Sequence, residues 1–202
     1  MDRKKLIKTL RKLHKWPGVI ITIFAIHFAI SGIIMNHRSL LSGVELSRKW
    51  LPRSYEYKNW NQASVRGGFN LNNDSLLIFG NIGAWIKTPQ GYFDYNQGLP
   101  AGIDNRKINQ LHAYKNQLVA ATQFGLFQRS TNSGSWEAVP MAIPQQRLID
   151  LFVKQDTLVI LSRDLLIKTT DLRNFKATTL PPPEGYTKSA GLFNTLWELH
   201  SG

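Results

Sequence analysis

The stretch Trp16–Met35, WPGVIITIFAIHFAISGIIM, decides how the rest of the chain is organised. It contains no Asp, Glu, Lys or Arg, and a helix of this length spans roughly 30 Å, the thickness of the hydrocarbon core of a bilayer. A helix crosses lipid readily because it satisfies its own backbone hydrogen bonds. The sequence therefore predicts a transmembrane α-helix over residues 16–36.

His27 lies near the middle of this predicted span. An ionisable side chain at mid-membrane is costly, so His27 is a candidate ligand or proton relay. The alternative is a neutral imidazole that hydrogen-bonds a carbonyl group or a neighbouring helix. The residues alone leave both interpretations open.

The segment before the span is strongly basic. Residues 1–15 carry seven Lys or Arg and one Asp, which is half of the formal net charge of +12. Such an excess keeps that end in the cytoplasm, and contact with anionic lipid headgroups explains it more simply than nucleic-acid binding. Leu6, Leu10 and Leu13 recur at helical spacing, which predicts an amphipathic helix in the headgroup layer. Pro17 predicts a bend near residues 16–18, where a new helix begins.

The apolar run does not have the pattern of a signal peptide. It is longer than an h-region of about 7–15 residues, and no small-x-small cleavage site follows it. Asn36-His37-Arg38 follows instead. We therefore predict an uncleaved anchor, with the N-terminus in the cytoplasm and the chain after Met35 on the far side of the membrane.

The chain after residue 66 repeats itself about every 40 residues. Each unit begins with a turn and an apolar strand, and Leu76, Leu118 and Leu158, which open these strands, are 42 and 40 residues apart. The later strands of the units are predicted at Ala84–Lys87, Leu126–Arg129 and Leu165–Lys168, and then at Tyr92–Tyr95, Trp136–Val139 and Phe175–Leu180. This period is typical of propeller blades. We expect residues 60–180 to form three four-stranded antiparallel units in sequential order.

The arrangement of these units stays open, because propellers typically carry four to eight blades. A partial propeller, a curled sandwich and part of a larger assembly all fit the pattern. Residues 130–136 and 169–175 share the pattern Ser/Thr-x-Asn/Asp-x-x-x-aromatic, which resembles the Asp-box turn of sialidase-like propellers but is one residue short. In that family the turn is structural, so it implies no catalytic role here.

The β pattern stops after Pro181-Pro182-Pro183, and Gly191–His200, GLFNTLWELH, becomes apolar and helical. We interpret it as the start of a second membrane helix. The predicted organisation is a basic arm (1–15), a transmembrane helix (16–36), a connector (37–66), an all-β domain of about three four-stranded propeller-like repeats (67–181) and a truncated second membrane helix (182–202).

Three motifs at the two ends of the chain resemble the PepSY-associated transmembrane family. They are Leu13-His14-Lys15-Trp16-Pro17-Gly18, then Ser31-Gly32-Ile33-Ile34-Met35-Asn36-His37-Arg38, and Trp197-Glu198-Leu199-His200-Ser201-Gly202. In that family, LH-x-W-x-G and SG-x-x-x-NH-R bound the first membrane helix, and L-H-S/T-G opens the next one. Many members carry PepSY domains where this chain has β repeats.

The resemblance implies a bacterial inner-membrane protein with a periplasmic β domain. The family includes iron-regulated proteins and haem-containing ferrisiderophore reductases, so it implies haem as a cofactor and His14, His27, His37 and His200 as its ligands. It also implies partners: the lipid bilayer and further membrane helices or a partner subunit. No nucleic acid is expected.

Helix geometry limits how these histidines can act together. On an ideal helix His14 and His27 lie about 220° apart, so they do not share a face, whereas His27 and His37 lie about 80° and 15 Å apart. Each would need a second axial ligand from another helix. His112, in a predicted strand, is interpreted as an ordinary sheet residue.

Two functions remain after the composition is considered. Cysteine is absent, which excludes disulfides, thiolate metal sites and cysteine nucleophiles. The β domain also shows no nucleophile–base set, phosphate loop or metal cluster. The first hypothesis is a component of a haem-containing electron-transfer system, such as a ferric or ferrisiderophore reductase. The second is a non-enzymatic, membrane-anchored β-repeat module that binds a protein or glycan.

Overall fold

The chain divides into two compact units, Met1–Leu41 with Thr187–Gly202 and Ser42–Tyr186. The computed structural model describes residues 3–72, 74–131, 134–143, 147–186 and 189–201. The first unit is helical, with α1 over Arg3–Asn36, the short α2 over Arg38–Leu41 and α3 over Leu192–Ser201. The second unit is all-β apart from short 3-10 turns.

Helix α1 is the one helix in the described part of the chain that is long and apolar enough to cross a membrane. A signal sequence near an N-terminus also passes this test of length and composition. The apolar side chains of α1 are exposed, including Ile21, Phe24, Phe28 and Ile33. Exposed apolar groups around a helix need an apolar surrounding, which lipid or partner helices supply.

The predicted start of a new helix at Pro17 is wrong, because α1 runs through Pro17 without a break. Proline lacks an N–H, so only the carbonyl group one turn earlier loses its partner. The turns on both sides keep their hydrogen bonds, and the φ of proline is compatible with a helix. The basic arm and the apolar span therefore form one continuous helix.

Three four-stranded antiparallel sheets make up the second unit, which confirms the prediction from the 40-residue period. We call them blades 1, 2 and 3. Their strands, in chain order, are β1 (Val65–Asn72), β2 (Ser75–Gly80), β3 (Gly83–Thr88) and β4 (Gly91–Asp94); β5 (Ile108–Tyr114), β6 (Gln117–Thr122), β7 (Leu126–Ser130) and β8 (Glu137–Val139); and β9 (Asp150–Lys154), β10 (Thr157–Leu161), β11 (Leu165–Thr169) and β12 (Lys176–Thr179). In each blade, neighbours in sequence are neighbours in the sheet.

Two apolar cores join the blades. The first combines blade 1 residues such as Leu77 and Phe79 with blade 2 residues such as Leu118. The second combines Val119 of blade 2 with blade 3 residues such as Leu158. Because successive side chains of a strand point to opposite faces, Leu118 and Val119 lie in different cores. Blade 2 is therefore buried on both faces.

The segment before β1 covers the outer face of blade 1. Trp60, in the 3-10 turn Trp60–Ala63, has its ring centroid 5.2 Å from that of Tyr92 and 6.2 Å from that of Trp85. Ala63 is fully buried. An aromatic cover of this kind removes apolar sheet surface from water where no earlier blade packs.

Candidate functional site

His27 lies on α1 with an exposed side chain. Its only described ring contact is with the adjacent Phe28, at 5.9 Å between centroids. Three of its neighbours one turn away, Ile23, Phe24 and Ile30, are apolar. The fourth is Ser31, whose hydroxyl donates to the Phe28 carbonyl oxygen at 3.0 Å. His27 is thus a polar ring on an otherwise apolar surface, available to a group outside the helix.

His37 follows the last residue of α1 and has a defined orientation. Its Nδ1–H donates to the Ile33 carbonyl oxygen, at 2.9 Å. A carbonyl only accepts, so in the neutral ring the proton is on Nδ1 and Nε2 keeps its lone pair. Metal-binding histidines are commonly oriented by such a bond through the second nitrogen. The exposed His37 is therefore arranged to offer Nε2 as a ligand.

The predicted ligand histidines do not converge within the described residues. His14, His27 and His37 follow one another along α1 and the residue after it, roughly 20 Å and 15 Å apart by helical rise. His200 falls in α3, and its side chain lies outside the described residues. No group of three His, Asp or Glu in the described part of the chain could hold a metal ion. Each histidine thus offers a single ligand.

The N-terminal part of α1 forms a basic groove beside an aromatic ring. The groove is lined by Lys5, Lys8, Thr9, Arg11, Lys12, Leu13, Lys15 and Trp16. Ammonium and guanidinium groups next to an indole match the layer where lipid phosphates meet the hydrocarbon core. This part of the helix is suited to a membrane surface.

A second polar site, which no sequence motif predicts, lies in the β unit. Arg66, Asn109, Arg147, Ile149 and Arg163 line a cavity of about 160 Å³. No Asp or Glu is among the described residues that line it. We call it the arginine cavity.

The strand register explains why these distant residues meet. The pairing of β1 with β2 skips Arg66, between Val65 and Gly67, and the pairing of β5 with β6 skips Asn109 in the same way. Both are bulge residues at the start of the first strand of a blade, and Ile149 stands directly before β9, the first strand of blade 3. Bulges redirect side chains and are frequent beside functional sites.

Two hydrogen bonds fix the cavity wall. Asn109 Nδ2 donates to the Leu148 carbonyl oxygen at 2.6 Å, which ties blade 2 to blade 3. Arg66 Nε donates to Asn81 Oδ1 at 3.2 Å, which holds that guanidinium beside the turn after β2. Asn109 Oδ1 is buried and has no hydrogen-bond partner among the described residues.

The regular spacing of residues that line this cavity is visible in the sequence, but the spacing alone does not predict a site. Arg66, Asn109 and Ile149 precede Leu76, Leu118 and Leu158 by 10, 9 and 9 residues, respectively. Their types differ, so aligning the repeats shows no motif. Arg147 and Arg163 come from segments outside strands. The lining residues of the arginine cavity meet only once the strands of the three blades are paired in their register.

Two polar side chains that line the larger cavity between blades 2 and 3, about 460 Å³, are bonded across the two blades. Lys115 Nζ donates to the Thr170 carbonyl oxygen at 2.6 Å, and the Tyr114 hydroxyl donates to the Asp156 carbonyl oxygen at 2.8 Å. These bonds join the two blades. The cavity is a seam of the fold with a polar lining.

The Asp-box-like turn of blade 3 is structural, as the resemblance implied. Asp171 Oδ1 accepts from the Arg173 and Asn174 amides at 2.9 and 2.8 Å. The backbone amides of Asn174 and Arg173, with the Asn174 side chain, hold the pKa of Asp171 well below its usual range. Phe175 packs against the second core. In the corresponding turn of blade 2, Asn132 and Ser133 lie outside the described residues, while Trp136 is buried in the first core.

Comparisons with known proteins identify structural neighbours alone. No family model and no curated protein matches the chain. Among solved structures, the N-terminal domain of Nup159 is 15% identical over 59% of this chain and 34% of that chain, with a TM-score of 0.39. An S. cerevisiae complex of a Dbp5 variant with Nup159, a Gle1 variant, IP6 and ADP gives 11% identity over 62% of this chain and 35% of that chain, with a TM-score of 0.42. The chain spans about a third of the length of the solved chains it matches.

Proposed function

We propose that this chain is a membrane-anchored component of a haem-containing electron-transfer system, of the ferric or ferrisiderophore reductase type. The anchor is α1, the N-terminus is cytoplasmic, and the β unit lies on the periplasmic side of a bacterial inner membrane. The proposal rests on the resemblance of the two chain ends to the PepSY-associated transmembrane family. Its main support among the described residues is His27 on an exposed apolar helix.

The position of His27 supports a ligand role. It is the candidate histidine furthest from both ends of the apolar span, so its ring cannot reach water by snorkelling. A neutral imidazole can donate through one nitrogen and coordinate iron through the other. Coordination would offset the cost of placing a polar ring in lipid.

The second candidate ligand is His37, because its Nδ1–H is already bonded to the Ile33 carbonyl. A haem near this end of the span would meet a free Nε2 lone pair. His14 and His200 would serve the same role at other depths. Helical rise separates His14, His27 and His37, so a neighbouring helix would supply the other histidine for each haem. A bound haem would supply the one-electron chemistry, and this chain would hold and orient it.

Haem content of the assembly isolated from its native membrane tests the proposal. A tagged wild-type chain should co-purify with a bis-histidine absorption spectrum, and His27→Ala should remove at least one haem per assembly. His112→Ala is the matched control, because His112 lies in β5 and its Nδ1 contacts the Ala113 carbonyl oxygen at 2.8 Å. A colourless wild-type assembly after haem supplementation, or unchanged haem in His27→Ala, would show that His27 is a helix-packing residue.

A binding module without redox chemistry is the second candidate function. The arginine cavity favours it, since this site is in the β unit and is independent of the membrane histidines. The two functions also make different demands on α1. A binding module needs α1 as an anchor alone, so all histidine variants would keep its function.

A further inference from the structure

We propose that the arginine cavity binds a small oxyanion, such as phosphate or a short carboxylate. This site is separate from the haem role and does not depend on it. It is formed by Arg66, Arg147 and Arg163 with Asn109 at its wall.

Charge is the first argument. Three exposed arginines line one small cavity, and no carboxylate is present among its described lining residues. Like charges held together raise the free energy of the folded protein unless solvent or an anion compensates them. Guanidinium presents a planar set of donors that matches the two oxygens of a carboxylate or phosphate.

Size is the second argument. The cavity volume of about 160 Å³ corresponds to roughly five water molecules at ~30 Å³ each. It therefore admits a phosphate group, or a carboxylate with a short substituent. A folded macromolecular segment does not fit inside it.

Asn109 is the third part of the site. Its Nδ2 donates to the Leu148 carbonyl oxygen at 2.6 Å, which fixes the cavity wall between blades 2 and 3. Its Oδ1 is buried and has no hydrogen-bond partner among the described residues. The polar contacts to a ligand therefore come from the arginines.

The place of the site in the fold agrees with this role. The bulge residues Arg66 and Asn109 come from the first strands of blades 1 and 2, and Arg147 and Arg163 come from segments flanking the first two strands of blade 3. One ligand would therefore contact all three blades. Binding would hold the blades in their mutual positions.

Calorimetric titration of the full chain in neutral maltoside micelles, at constant ionic strength, tests this inference. The probes are inorganic phosphate, citrate and sulfate. We expect saturable binding of at least one of these anions.

The double variant Arg147→Gln/Arg163→Gln should weaken binding of the better probe at least about tenfold, as expected for the loss of charged hydrogen bonds. Arg53→Gln/Arg173→Gln is the control, because it removes the same charge at exposed positions outside the cavity. Near-ultraviolet circular dichroism checks that both variants are folded. No saturable binding by the wild type, or an equal loss in the control, would overturn the proposal.

A bilayer version of the experiment identifies the source of the anion. Phosphatidic acid added to phosphatidylcholine nanodiscs competes with free phosphate if a lipid headgroup reaches the cavity. Competition that disappears in the Arg147→Gln/Arg163→Gln variant would support the oxyanion site with a headgroup as its ligand. Unchanged phosphate binding would support a free solute.

Discussion

Asp171 closes the turn before β12 as an ionised carboxylate, and its lowered pKa ties the stability of blade 3 to pH. A carboxyl group with a lowered pKa in the folded state stabilises the protein above its unfolded pKa of about 4. As pH falls below that value, the unfolded chain takes up the proton first, and the stabilisation is lost towards the folded pKa. Asp171→Ala should therefore be less stable than the wild type at pH 7, and the difference should shrink below pH ~4. Urea unfolding at several pH values measures it. A difference independent of pH would contradict this account of Asp171.

Gly98 shows a second constraint on a single residue. It has φ of +93°, and a Cβ there would overlap the backbone of Trp136. Gly98→Ala should lower the free energy of unfolding by roughly 1–3 kcal/mol, because strain and overlap add. Gly91→Ala is the matched control, since Gly91 has φ of +135° with open space around it. Thermal unfolding of both variants separates the two causes, and equal losses would show that overlap with Trp136 is not important.

The sequence predicts the roles of some single residues and not of others. The position of His27 in an uncharged span identifies it as a candidate, and the aromatic residues of the two Asp-box-like patterns, Trp136 and Phe175, pack in the two cores. The bond from His37 to Ile33 depends on a side-chain torsion, which a sequence does not encode in any pattern. Arg66 needs the register of β1, which is set by pairing with β2.

Residues at equivalent positions of the three repeats differ in burial. Leu118 of β6 is fully buried between blades 1 and 2, whereas Leu76, at the same place in β2, is 40% exposed. Leu118→Ala should cost about 2–5 kcal/mol of unfolding free energy, and Leu76→Ala less than about 1 kcal/mol. Urea unfolding followed by tryptophan fluorescence compares them. Equal costs would contradict the position of blade 2 between two cores.

The strands and helices are the part of the structure that the sequence predicts best, and the reason is physical. Turns followed by alternating apolar residues are local signals, and their 42- and 40-residue spacing made each strand support the others. Helix α1 was predicted from composition, but its continuity through Pro17 was not. A proline costs one backbone hydrogen bond, and the sequence alone does not show whether the flanking turns compensate.

At the scale of the whole molecule, the chain contains a helix that is basic at its N-terminal end and apolar beyond it, and a β unit with its own two cores. The net charge of +12 is unevenly divided, with half of it in residues 1–15. Because α1 exposes its apolar side chains, its environment completes the fold. The number of blades was predictable from the repeats. Their stacking was not, because it depends on which face of each strand meets the next blade.

The location of each end of α1 relative to the membrane tests most directly whether α1 spans the membrane with its N-terminus in the cytoplasm. The chain has no cysteine, so single cysteines at Lys5→Cys and Lys154→Cys report their own positions, and both replace an exposed lysine. In spheroplasts treated with a membrane-impermeant maleimide, the account predicts labelling at position 154 and none at position 5 until the membrane is permeabilised. Labelling at position 5 with protection at position 154 would contradict the orientation. Labelling of both positions in intact spheroplasts would contradict a membrane-spanning α1.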